Sequence, residues 1–131
     1  MTRKDLQDLA SIRLKEAKAL LDQGLHDGAY YLCGYAVECA LKACIAKNVR
    51  QYDFPDKKVV IDSHTHDIEK LIRVSGLEPE LRLQTQKNQE FKLNWQVVRD
   101  WSEISRYKRS SEFDATDLYF SIVDEQNGIM P

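Results

Sequence analysis

Residues Tyr30 to Lys47, YYLCGYAVECALKACIAK, constrain this chain more than any other stretch. The run has no Pro and only Gly34 as glycine, and it is rich in Ala and Leu, so helix propensity favours one long α-helix entered from Asp27-Gly28-Ala29. On a 3.6-residue period Tyr30, Cys33, Gly34, Val37, Leu41 and Cys44 share one face, and Tyr31, Tyr35, Glu38, Lys42 and Ile45 share the other. Both faces are largely apolar, the pattern of a helix surrounded by other helices. Small residues, Gly34, Ala36, Cys39, Ala40 and Ala43, let neighbouring backbones come close. A membrane span needs about 20 apolar residues, and it would place Glu38 and Lys42 near the bilayer centre at about 2.5–3.5 kcal/mol each. The run therefore reads as a core helix of a protein outside the membrane.

Glu38 and Lys42 are the only charges between Tyr30 and Ile45. Their i,i+4 spacing, Glu first, suits an ion pair on one helix, worth about 0.2–0.5 kcal/mol when exposed. One reading is a solvated strip or a pair at an interface edge. The other is a polar position in a groove or subunit contact, which makes Tyr31, Tyr35, Glu38 and Lys42 a candidate interface set. Tyr30, Tyr31, Tyr35, Trp95 and Trp101 are more aromatics than one small bundle needs, which also points to a second copy of the chain.

The rest of the chain supports an all-α fold. A first helix starts near Thr2 or Asp5, with Leu6, Leu9, Ile12, Arg13, Ala17, Leu20 and Leu21 at helical spacing, and stops at Gln23-Gly24. The short turn that follows, holding His26 as a solvated or capping side chain, makes the first two helices antiparallel neighbours. Gln51 to Ser63 has no helical period and forms a long connection, with Val59 to Ile61 as a brief extended segment. Asp67 to Val74 reads as a third helix with Asp67 at its positive end, stopped by Ser75-Gly76. Pro79 and Glu80 open a polar run that reads as a partly exposed helix or a break. From Asn88 a core-facing helix carries Phe91, Trp95, Val98 and Trp101, with Leu93, Val97 and Ile104 adjoining, and reaches Arg106 or beyond. Asp114 with Asp117 reads as the cap of a last helix through Leu118, Tyr119, Ile122 and Val123, closed by Asn127-Gly128. The expected architecture is a single domain over residues 1–131, an up-and-down bundle of four to five helices.

Charge and chemistry narrow the function. With 131 residues the chain can bury a core without disulfides or metals. A formal net charge of −2 gives no global basic field for nucleic acid. Cys33, Cys39 and Cys44 all lie on the central helix, and Cys33 and Cys44 are about 16 Å apart at 1.5 Å per residue, so they read as core residues rather than a disulfide framework. The N-terminal MTRKDLQDLA lacks the apolar core of a signal peptide, so the expected location is cytoplasmic. His64, His66 and Asp67 fall short of the three or four ligands of a zinc site, and no metal or cofactor is expected. No Gly-rich phosphate loop, GxSxG, CxxC or HExxH occurs. The most basic stretch is Arg106, Tyr107, Lys108 and Arg109. It reads either as a solvated helix terminus or as a nucleotide- or RNA-binding patch, with cations for phosphate and Tyr107 for base stacking.

The run GAYYLCGYAVECALKACIAK, preceded by RLKEAKALLDQGLHD, resembles the first two helices of HEPN-domain proteins. The likeness continues in His66-Asp67 with Ile68, Leu71 and Ile72 behind it, and in Trp101 followed by Arg106-Tyr107, and so spans about Leu6 to Tyr107. The resemblance implies a helical bundle that forms a homodimer and associates with a small nucleotidyltransferase, often in a toxin–antitoxin-like system. Many members resemble metal-independent ribonucleases that use an Arg, a few residues, then a His. Arg106 stands where that Arg belongs, but residues 107–113 contain no His. The resemblance therefore implies a non-catalytic nucleotide- or RNA-binding and interaction module. The alternative is a divergent ribonuclease in which His66 or Tyr107 replaces the missing group.

Overall fold

The computed structural model describes residues 2–51 and 64–130. Among them are six α-helices, one short 3-10 turn and no strand. Helix α1 (Arg3–Asp22) starts from Thr2, whose hydroxyl accepts the Asp5 amide while the Asp5 carboxylate accepts the Thr2 amide. That reciprocal cap satisfies two of the free amides that open a helix. Gly24, at φ +75°, makes the left-handed turn into α2 (His26–Gln51), which packs along α1. His26 belongs to the first turn of α2 rather than to the connection before it, with its Nδ1 buried and without a hydrogen-bond partner.

Helix α2 is the central element, as its composition predicts, and it touches α1, α3 (Ile68–Ser75), α6 (Glu112–Val123) and the 3-10 turn η1 (Glu103–Tyr107). Ala29, Cys33, Ala36, Val37, Cys39, Leu41, Ala43 and Ile45 are all buried, so the helix is covered nearly all round. The same core takes in Ile68 and Leu71 of α3, Val98 of the fifth helix, and Leu118 and Ile122 of α6. Each such aliphatic side chain contributes about 1.5–3 kcal/mol on full burial. Burial pushes the Cys33 thiol up to about 12, so this cysteine acts as a small packing group, not a nucleophile.

The second half explains the remaining elements. Asp67 caps α3 by accepting the Lys70 amide at 3.3 Å, and Gly76, at φ +81°, ends it. The polar run after it is a full helix, α4 (Glu78–Lys87), with Pro79 in its first turn and no buried residue. Asn88 ends α4 and caps α5 (Gln89–Arg99) through the Phe91 amide. Helix α5 stops at Arg99 and does not reach Arg106. The chain turns there, so that Trp101 swings into the core, while Ile104 and Leu93, read as adjoining the core face, are half exposed. Helix α6 starts at Glu112 rather than at Asp114, because the Ser111 hydroxyl accepts the Asp114 amide at 3.0 Å. It closes at Val123, ahead of Asn127-Gly128. Asn127 instead fastens the following tail to α5, through the Asn88 amide at 2.6 Å, Glu90 at 2.6 Å and the Asn94 amide at 3.0 Å. The extended segment expected at Val59 to Ile61 lies outside the described residues.

Candidate functional site

One face of α2 carries Asp27, Tyr31, Gly34, Tyr35 and Glu38 along three helical turns, and the chain after α5 is laid over it. Contact begins at Trp101. A Cβ at Gly34 would overlap the Trp101 indole, so the ring lies directly on the α2 backbone in the space the missing side chain leaves. Tyr31 lies beside the same indole at 6.1 Å between ring centroids, and stacks on Tyr35 at 6.1 Å with 25° between planes. The Trp101 Nε1 is buried without a hydrogen-bond partner. Trp95 and Trp101 are thus core residues, and Tyr30, Tyr31 and Tyr35 pack half-buried against that core. One bundle uses all five of these aromatics, so their number is no argument for a second copy.

Past Trp101, η1 is held at both ends. At its start, Glu103 reaches His66 Nε2 at 3.3 Å, and His66 Nδ1 lies 2.5 Å from Glu38 Oε1. Glu38 is 2% exposed, His66 51% and Glu103 40%. Glu38 is therefore neither part of a solvated strip nor matched with Lys42. Its partner is an imidazole 28 residues away, brought over α2 by the segment that leads into α3. A buried carboxylate needs such a donor, because an unpaired charge out of water costs several kcal/mol. At the far end, the Ser110 amide donates to Asp27 in the first turn of α2, and Arg109 Nε lies 3.9 Å from the same carboxylate. Burial raises the Tyr35 phenol above its ordinary range, with Cys39 and Glu38 adding to the effect, so Tyr35 stays a neutral hydroxyl.

The basic stretch thus lies between two anchors on α2. Arg106 is on η1, Tyr107 ends it at 77% exposed, and Lys108 and Arg109 continue in exposed positions. Beside η1, a groove of about 470 Å³ is lined by His66, Asp67, Glu69, Arg99, Asp100 and Glu103 among others. Its carboxylates outnumber its cations, and Arg99 is already paired with Glu69 at 3.4 Å. Such a groove repels phosphate. On the other side of the segment the exposed Lys108 and Arg109 offer an anion favourable charge.

A family model described as the HEPN domain matches residues 4–125. The chain belongs to the HEPN domain family. No curated protein and no solved structure matches it.

This HEPN domain brings together residues that lie far apart in the chain. Tyr31, Tyr35 and Glu38 of the candidate interface set lie beneath the residues that carry the basic stretch, while Lys42 is one turn further along α2, half-buried. Asp27 and Glu103 were not legible as functional, since no local spacing relates Glu103 to His66, or Asp27 to a partner 83 positions away. Among the described residues no group of three or more His, Cys, Asp or Glu could hold a metal ion. No helix among them is long and apolar enough to cross a membrane.

Proposed function

We propose that this HEPN domain is a nucleotide- or RNA-binding and interaction module whose ligand contacts Arg106, Tyr107, Lys108 and Arg109. The observation that carries this reading is the double anchoring of that segment on α2, through Glu103–His66–Glu38 at one end and Ser110–Asp27 at the other. Anchoring holds an exposed tyrosine and consecutive cations in place, which lowers the ordering cost of binding. Lys108 and Arg109 meet phosphate, and Tyr107 offers its ring to a base. Single-stranded RNA binding followed by fluorescence anisotropy tests this. Affinity should fall as salt rises, and Arg106→Ala or a Lys108→Ala/Arg109→Ala pair should weaken binding, flattening the salt slope by roughly 0.7 for each phosphate that is no longer neutralised. An affinity indifferent to salt or to these substitutions rejects the reading.

A homodimer and association with a small nucleotidyltransferase in a toxin–antitoxin-like system complete the proposal. Pairing is supported by α6, which leaves Phe113 75% and Phe120 54% exposed two turns apart. Light scattering should give twice the monomer mass at micromolar concentration, and a monomeric mass rejects the dimer. A second reading, a divergent ribonuclease, is favoured by the Glu38–His66 pair, because a buried carboxylate that orients an imidazole is how general bases are commonly held. Metal-independent cleavage of the RNA in the same assay, lost in Arg106→Ala, would replace the first reading with this one.

A further inference from the structure

We propose that His66 is a proton-controlled latch that holds η1 against α2. The imidazole stands between two carboxylates on different elements, Glu38 on α2 and Glu103 on η1. A doubly protonated ring donates to Glu38 from Nδ1 and sets its positive Nε2–H side 3.3 Å from Glu103 as an ion pair, so the two elements are joined through it. A neutral ring has one N–H and one lone pair, so one carboxylate must lose its donor. The loser is Glu103. Glu38 is buried, so leaving it without a donor costs far more than releasing a carboxylate that water already reaches. The N–H therefore stays on Nδ1, and the Nε2 lone pair faces Glu103, which is repelled.

Other charges near the ring leave this choice in place. Asp67, on the same segment, accepts the Lys70 amide; Glu69 of α3 is paired with Arg99 at the end of α5; Asp100 follows at the α5 terminus. Asp67, Glu69, Arg99 and Asp100 all line the groove. The Asp27 anchor at the other end of the segment involves no histidine nitrogen. Loss of one proton thus frees one end of the Glu103–Ser110 segment and leaves the other tied. Its effect on ligand affinity rests on the binding reading above; the latch itself does not.

Hydrogen exchange reads the latch directly: the Ser105 and Lys108 amides are protected by bonds to the Ser102 and Ser105 carbonyls, and the Ser110 amide by Asp27 at the end that stays tied. Protection factors, corrected for intrinsic exchange, are compared with the NMR titration of the His66 ring between pH 5 and 8.5. The Ser105 and Lys108 amides should lose protection by roughly tenfold as the ring loses its proton, with the same midpoint. In Glu103→Gln the side-chain amide can accept from a protonated Nε2 or donate to a neutral one, so protection should no longer depend on pH. Protection that ignores the titration in the native chain, or that still follows it in Glu103→Gln, overturns the latch. RNA affinity measured at pH 6 and pH 8 separates the two proposals. Switching protection with no RNA bound at either pH sinks the binding reading alone, and RNA binding with constant protection sinks the latch alone.

Discussion

Gly34→Ala is expected to destabilise the fold by about 2–3 kcal/mol, although the substitution improves helix propensity. In a helix interior Ala is favoured over Gly by about 0.8–1.0 kcal/mol, so a reading of α2 by itself predicts a gain. The tertiary structure reverses the sign. The added Cβ would overlap the Trp101 indole, which is 4% exposed and lies against α2, Tyr31 and the chain that follows α5. Neither the helix backbone nor a packed ring yields cheaply, and overpacking of this kind costs about 1–3 kcal/mol and sometimes more. Urea denaturation gives the value. Trp101→Leu alone leaves a cavity, but combined with Gly34→Ala it should recover part of the loss, because the new methyl then enters vacated space. A Gly34→Ala protein as stable as the native chain, or more so, would mean that Trp101 does not lie where the packing of α2 requires it.

His66→Ala is expected to cost about 2–4 kcal/mol, far more than a half-exposed side chain would lose through its own packing. The loss originates at Glu38, which is 2% exposed and loses its donor. Breaking a buried charged pair from one side costs about 3–5 kcal/mol, and the adjacent groove lets some water reach the vacated position, which lowers the figure. Glu38→Gln in the His66→Ala background should restore at least half, since a neutral amide carries a much smaller desolvation cost. Thermal or urea unfolding of the four proteins completes a double-mutant cycle. If His66→Ala lies within about 0.5 kcal/mol of the native chain, Glu38 is not held by His66.

Several features are legible because they depend on neighbours in the chain. The antiparallel α1–α2 pair follows from apolar periodicity and a short connection, the α3 cap from Asp67, and the α5 start from Asn88. Local reasoning fails where two local signals compete. Asp114 reads as the cap of the last helix, but the Ser111 hydroxyl three residues earlier takes the Asp114 amide and starts the helix sooner. Apolar residues at helical spacing carry the fifth helix on to Arg106, because Trp101 and Ile104 fit the period. The period cannot tell a core residue on a helix from one on a chain that has just left it.

Glu38 marks the boundary between the two kinds of knowledge. Its place in an apolar run identifies it as a charge in need of an explanation, and the i,i+4 rule supplies Lys42 as the nearest partner. The tertiary structure supplies His66 instead, together with Glu103. The sequence by itself determined an all-α bundle, a central helix buried on both faces, and a basic stretch at residues 106–109, because propensity, periodicity and charge density are properties of adjacent residues. Only the tertiary structure decided which carboxylate meets which imidazole, which glycine receives which indole, and which anchors hold the basic stretch. Those pairings depend on the crossing of elements tens of residues apart, and no local spacing encodes such distances.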